Sequence, residues 1–291
     1  MILDWNWFFA AFAQCAAALI AILGAFIISK LIGEGEKEEK YAKIINDLII
    51  KYNDLTKRIS ARHFEWYDRS TILYSRSIKD AITKGDFDEL SDDEMIPKMR
   101  ETKPELFGTE SGLELLKERI EQYKPRKIDY EGVSVTLPPM PFSDIPPNGI
   151  WDNLNEEKEV INHLEIESNT LIEKFNEVKL DLTASKGNLA PIKVTIYILA
   201  IGLLFTVIYP LHFMPMRANE VPQIGFSVAL VISNLTSLKG ILLILLTLVI
   251  EGIFGYFLWI VSRIEKKYLN TFNKLDGKYF DISTYSQYFR V

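Results

Sequence analysis

Cysteine and histidine are almost missing from this chain: its 291 residues include one cysteine, Cys15, and three histidines. A single thiol excludes an intramolecular disulfide framework and a cysteine-based zinc site. His63, His163 and His212 form no local pair. The first two could meet across a helical hairpin, but partly buried positions are a simpler reading than a metal site. Hydrolytic, phosphate-loop and dinucleotide signatures do not occur, and Gly108-Thr109-Glu110-Ser111-Gly112 has the wrong spacing for a nucleophile elbow. The acidic run Asp86, Asp88, Glu89, Asp92, Asp93 and Glu94 lacks the central glycine and the spaced terminal glutamate of a calcium loop. It reads as a solvated turn. No enzyme and no cofactor are expected. The net charge of −6 argues against nucleic acid as a partner.

Charge is also missing locally. Trp5 to Ser29 is a run of 25 residues whose only ionisable group is the Cys15 thiol. An apolar stretch of about 18 residues or more reads as a membrane span. Two further runs qualify: about Ile192 to Leu211, bracketed by Pro191 and Pro210, and Gly240 to Ser262, bounded by Lys239 and Arg263. Lys193, the only charge in the second run, lies close enough to its end to snorkel to the interface. Trp5, Trp7, Tyr209, Trp259 and Tyr268 stand near span ends, where amphipathic rings prefer to sit. A signal peptide needs a basic start, and the only early charge is Asp4, so the first run is expected to be a retained helix. Ile224–Ser233 is too short to span and is left as an interfacial or re-entrant segment.

Lysine and arginine set the orientation. Lys30, Lys37, Lys40, Lys186, Lys193, Arg263, Lys266 and Lys267 all fall on one side if the N-terminus is outside, leaving Arg217 and Lys239 in the outer loop. The middle segment and the C-terminal tail are then cytoplasmic, in a multi-pass protein of the plasma (inner) membrane.

Residues 34–190 hold 33 acidic and 23 basic side chains, a net of −10. Tyr41, Ile45, Leu48, Tyr52, Leu55 and Ile59 alternate four and three apart, the seam of a coiled coil. Past Ile59 the register slips to His63, Tyr67, Ser70, Tyr74, Ile78 and Ala81. A second seam runs through Leu154, Ile161, Leu164, Ser168, Leu171, Phe175, Val178 and Leu182. Both helices meet the membrane, so they must run antiparallel. Between them, Ser91–Glu94 and Ser111–Glu114 match capping boxes and predict helices at about 92–102 and 112–123. Ile128, Tyr130, Val133, Val135 and Leu137 suggest a short strand or extended arm before Pro138-Pro139-Met140-Pro141, and a rigid arm is a better reading of those prolines than a peptide ligand.

The expected fold is therefore mainly α: three transmembrane helices plus a long antiparallel coiled-coil cytoplasmic stalk with a small distal head. The order is span 1 over 1–32, stalk helix 1 over 33–83, head over 84–151 and stalk helix 2 over 152–190. Spans 2 and 3 with an outer loop follow over 191–263, then a tail over 264–291.

Glu251 is twelfth of the 23 residues in span 3, close to the bilayer midplane. An ionisable group there is costly and marks a functional site by default. Gln14 in span 1 reaches nearly that depth, and Thr206 in span 2 is a further polar candidate. Glu251 serves either as polar glue between helices or as the lining of a wet path in an oligomer. Ala10, Ala17, Ala18, Ala21, Gly24 and Ala25 form a small-residue face that suits close helix approach, within the chain or between copies. Gly33, Gly35, Gly187 and Pro191 lie where stalk meets membrane; they are candidate hinges or ordinary helix breaks.

Trp5-Asn6-Trp7-Phe8-Phe9-Ala10-Ala11-Phe12-Ala13-Gln14, with Gly24-Ala25-Phe26, resembles the first span of many prokaryotic membrane proteins of uncharacterised families. The resemblance implies a prokaryotic plasma membrane and a stress or antiphage setting, and it carries over no functional residue. Two functions are expected: an oligomeric, channel-like membrane effector with a sensing or gating cytoplasmic part, or a non-conducting anchor presenting a coiled coil to a cytoplasmic protein partner. The lipid bilayer and further copies of the chain are the expected partners in the first. If the orientation is right, a fluorescent protein fused after Val291 will fluoresce in intact cells and a periplasm-dependent phosphatase fused there will be inactive; the reverse pattern would invert the topology.

Overall fold

A computed structural model of the chain describes residues 5–124, 126–130, 133–137, 144–214, 232–233 and 235–289. It is mainly helical, and three of its helices are long and apolar enough to cross a membrane. The proline run 138–141, Arg217 and all but the last two residues of Ile224–Ser233 lie outside the described residues. The chain divides into two units: Met1–Asn46 with Glu177–Leu275, and Asp47–Asn176 with Asp276–Val291.

Helix α1 runs unbroken over Trp5–Ser60, 56 residues with no proline. Gly33 and Gly35 sit inside it, where the flanking Glu and Lys residues are good helix formers. They do not break the helix. The seam positions Ile45, Leu48, Tyr52, Leu55 and Ile59 are buried, and Tyr41 is half-buried. In step with them, seven residues apart, lie Ile27 and Glu34 on one row and Leu31 and Glu38 on the other, all buried.

The single helix expected over 33–83 is instead three helices. After α1 ends at Ser60 the chain turns at 61–63, then forms α2 (Phe64–Tyr74) and α3 (Arg76–Lys84). The register slip past Ile59 marks this turn: a strict seam would put arginines into the core. Helix α4 (Asp92–Thr102) starts where the Ser91–Glu94 box predicts, with the Ser91 N–H and hydroxyl both donating to Glu94 Oε2 at 3.0 and 2.7 Å. Helix α5 (Glu110–Tyr123) begins two residues earlier than expected, because Thr109, not Ser111, is the cap; its hydroxyl accepts the Gly112 N–H at 3.2 Å. The extended arm is a hairpin: β1 (Arg126–Tyr130) pairs antiparallel with β2 (Val133–Leu137), Tyr130 opposite Val133.

Helix α6 (Ile150–Gly187) buries all eight of its predicted seam residues. A one-residue turn at Asn188 leads into α7 (Leu189–Leu203), and the spacing carries on without slipping through Ser185, Leu189, Ile192, Ile196, Leu199 and Leu203. Pro191 falls in the first turn of α7, where an absent N–H costs nothing, so it does not bend the chain out of line. A π-helical turn (Leu204–Ile208) precedes α8 (Tyr209–Phe213). Pro210 explains it: proline clashes with the carbonyl four residues back, and a wider turn relieves that clash. Helix α9 (Leu238–Phe272) is capped by the Ser237 hydroxyl, which accepts the Gly240 N–H at 3.1 Å.

In the second unit a core of Ile72, Ile78, Phe87, Met99, Leu106 and Leu116 joins α2 to α5. Asp68, fully buried on α2, ties this core to the start of α5. Its carboxylate accepts the backbone N–H groups of Phe107, Gly108 and Thr109 at 2.9, 2.8 and 2.8 Å. Gly108 takes φ 79°, a left-handed turn that aims successive N–H groups at one anion. Burial pushes the Asp68 carboxyl up, and the three N–H donors with the Thr109 hydroxyl oppose that shift. The tail after α9 is no loose extension. Tyr279 stacks on Phe175 with ring centres 4.9 Å apart, Tyr285 meets Tyr52 edge-on at 4.8 Å, and Tyr288 packs on Phe64 at 4.7 Å.

Gly33 offers a direct test of α1's continuity. A Cβ built there meets no atom within 4 Å. Gly33→Ala is expected to raise stability by about 0.5–1 kcal/mol through helix propensity alone, read as a higher melting temperature in detergent. A loss of stability would mean that the glycine serves a bend.

Candidate functional site

Polar groups inside an apolar bundle are where function has to be sought, because each is expensive to keep there. Glu251 is half-buried on α9, and its Oε1 is shut off from solvent with no hydrogen-bond partner among the described residues. Two contacts fix the alignment of α1 with α9. The Tyr268 hydroxyl donates to the Glu34 carbonyl at 3.2 Å, and the Thr271 hydroxyl donates to Glu38 Oε1 at 2.8 Å. Both numbers rise together, so the two helices run parallel, offset by 234 and 233 residues. Counting back by that offset from Glu251 reaches Ala17 or Ala18, about one helical turn past Gln14.

Gln14 also points away. It is one residue off the packed seam, rotated by about 100° from Ala13, and it is exposed while Ala13 is buried. Thr206 donates its hydroxyl to the Gly202 carbonyl of its own helix at 2.7 Å. The three polar residues singled out from the sequence therefore make no hydrogen bonds to one another.

The small-residue face is largely unused within the chain. Ala17, Ala18, Ala21 and Ala25 are exposed, and Ala10 and Gly24 are half-buried. Around it the apolar side chains are open as well: Ile22 is 68% and Phe26 65% exposed, and on α9 Leu248 is 65% exposed.

A polar layer that the sequence reading passed over lies at the end of these spans. Glu34 and Glu38 are 2% and 5% exposed, one turn apart on the seam of α1. Glu34 accepts from Lys37 at 2.9 Å and lies 3.4 Å from the Tyr268 hydroxyl. Burial, and next the Glu34 carboxylate, push the Tyr268 phenol well above its usual range. Lys193 does not snorkel freely, because it pairs with Glu265 at 2.5 Å, and Lys267 lies 3.7 Å from Glu39. Sequence reasoning missed this layer because Glu34 to Lys40 looks like a solvated charged run. Extending the heptad seam backwards from Tyr41 would have placed Glu38 and Glu34 inside.

Elsewhere the remaining candidates stay apart. The His63 backbone N–H donates to Glu157 Oε1 at 2.9 Å, and His163 lies 3.9 Å from Glu167 on its own helix. The acidic turn residues Asp86, Asp88, Glu89, Asp92, Asp93 and Glu94 are exposed. Among the described residues no three histidine, cysteine or carboxylate groups gather as metal ligands. Gly187 closes α6 in open space, with nothing within 4 Å of an added Cβ.

No protein-family model matches the chain, and neither curated proteins nor solved structures yield a match to it.

Removing one hydroxyl from the layer leaves a buried carboxylate short of a donor, which costs about 1–3 kcal/mol. Tyr268→Phe and Thr271→Val are each expected to lower the melting temperature in detergent. Thr195→Val, whose hydroxyl only bonds back to the Pro191 carbonyl on an exposed face, is the control and should change it little.

Proposed function

We propose that this chain is an oligomeric integral membrane protein, channel-like in character, with a cytoplasmic helical stalk and head that sense or gate. The observation that carries the proposal is the Glu251 carboxylate oxygen, buried without a partner among the described residues in the middle of an apolar helix. A polar atom in that position needs water or a group from another molecule, because an unsatisfied one costs several kcal/mol in hydrocarbon (roughly, by transfer data). The small face of α1, at the same level and open, suits close approach of a second copy. Three helices are few for a pathway inside one chain, so copies meeting around Glu251 would form the path.

In this reading the N-terminus lies outside a prokaryotic plasma membrane and the second unit is cytoplasmic. The alternation of buried positions on α1, α6 and α7 supports a coiled-coil stalk. A non-conducting anchor is the second reading. It is favoured by Ile50 and Ile166, 65% and 66% exposed on the second unit, which offer apolar contacts to a partner protein.

The test is reconstitution. Wild-type protein in liposomes is expected to be oligomeric and to pass ions, and Glu251→Gln is expected to keep its oligomeric state in detergent while losing flux. An oligomer without flux in the wild type would favour the anchor. A monomer without flux would overturn the channel.

A further inference from the structure

Two polar side chains stand in the apolar stretches without a partner from their own chain. Gln14 is exposed on α1, and neither its amide nor the Glu251 carboxyl makes a hydrogen bond among the described residues. In hydrocarbon each of them is expensive alone. We infer, on the oligomeric reading proposed for this chain, that they satisfy each other between copies. The Gln14 amide of one copy pairs with the Glu251 carboxyl of its neighbour, where α1 of the first packs against α9 of the second.

The membrane supplies the register. Copies inserted in one orientation hold equivalent residues at equal depth, so a level measured within one chain also applies between chains. The contacts of Tyr268 with Glu34 and of Thr271 with Glu38 put Glu251 level with Ala17 and Ala18. Gln14 is three or four residues away, about 5 Å along the axis, a gap that two long unbranched side chains close. Glu251 is half-buried, and of its two carboxyl oxygens Oε1 is the one shut off, so a neighbour meets Oε2. An amide carries two N–H donors and a carbonyl acceptor, so it serves that carboxyl group in either protonation state.

The surfaces around the pair match in size. Ala18, Ala21 and Ala25 share the Gln14 stripe of α1 and are exposed. On α9, Gly255 shares the Glu251 stripe one turn on; it is exposed, and an added Cβ there meets no atom within 4 Å. By the Tyr268–Glu34 offset, Ala21 and Gly255 stand at one level. Small residues opposite one another let two helices approach closely, which brings the flanking amide and carboxyl into reach. The alanines alone would accept any small-faced helix. The amide beside them selects the one that carries a carboxyl group at matching depth, and this chain supplies it.

A double-mutant cycle on self-association of the full-length protein, measured by sedimentation equilibrium in detergent, tests the pairing. Gln14→Leu and Glu251→Leu are each expected to weaken association by roughly threefold to thirtyfold, and the double variant by no more than either alone. Glu251→Gln keeps a hydrogen-bonding group and should associate as the wild type does. Cross-linking gives a second reading at other positions. In a Cys15→Ala background, copies with Ala21→Cys coexpressed with copies carrying Gly255→Cys are expected to form a disulfide-linked dimer on oxidation, and neither variant alone should do so. A wild-type oligomer whose association ignores both leucines, whose losses add in the double variant, or that cross-links only like positions would overturn the pairing while leaving the oligomeric reading intact; lipid or another contact would then cover these faces. A wild-type monomer would overturn that reading, and the pairing with it.

Discussion

A side chain buried at every third and fourth position is the constraint on which the rest of this structure depends. On α1 it holds from Ile27 to Ile59, with Tyr41 alone half-buried, and on α6 and α7 from Ile161 to Leu203, with no slip in either row. A seven-residue repeat keeps one stripe of a helix facing its neighbours over many turns. The stripe stays the same while its chemistry changes. It is aliphatic in the apolar stretch, carries two carboxylates at Glu34 and Glu38, and becomes aliphatic and aromatic again from Ile45 to Ile59. Because a buried carboxylate tolerates only a position with a donor opposite it, Tyr268 and Thr271 set the register of α9 on α1 to within a residue. Aliphatic contacts alone would allow a slip by a whole heptad at little cost.

The second unit solves a different problem. Where the seam fails after Ile59, the chain breaks into short helices that could not stand alone, and a single anion organises them. Asp68 gathers three N–H groups from the segment before α5, so the start of α5 is held against α2. The tail then supplies aromatic rings to Tyr52, Phe64 and Phe175.

Much of the helical framework was legible from spacing. The eight seam residues of α6 and the start of α4 were readable because a heptad and a capping box are local patterns, complete within a few turns of chain. The start of α5 was misplaced because Thr109 and Ser111 both offer a hydroxyl, and only the fold around Asp68 selects Thr109. Gly33 and Gly35 do not break α1 for a related reason: glycine weakens a helix by about 1 kcal/mol, which many turns of seam packing outweigh. Gln14 was paired with Glu251 on depth alone, and depth says nothing of rotation. One residue off the seam is a third of a turn, enough to point an amide away from the bundle.

The sequence by itself determined that the chain has three helices apolar enough to cross a membrane, where they lie, and which stripe is buried on α1 over 41–59 and on α6 over 154–182. Those properties follow from composition and period, which need no knowledge of a neighbour. Only the tertiary structure decided which polar groups are satisfied. It paired Glu34 and Glu38 with donors more than two hundred residues away, engaged Lys193, and left Glu251 with a buried oxygen unpaired among the described residues. Hydrogen bonding is directional and short-ranged, so a polar residue's role is set by whichever atom stands about 3 Å away. A linear pattern does not encode that distance.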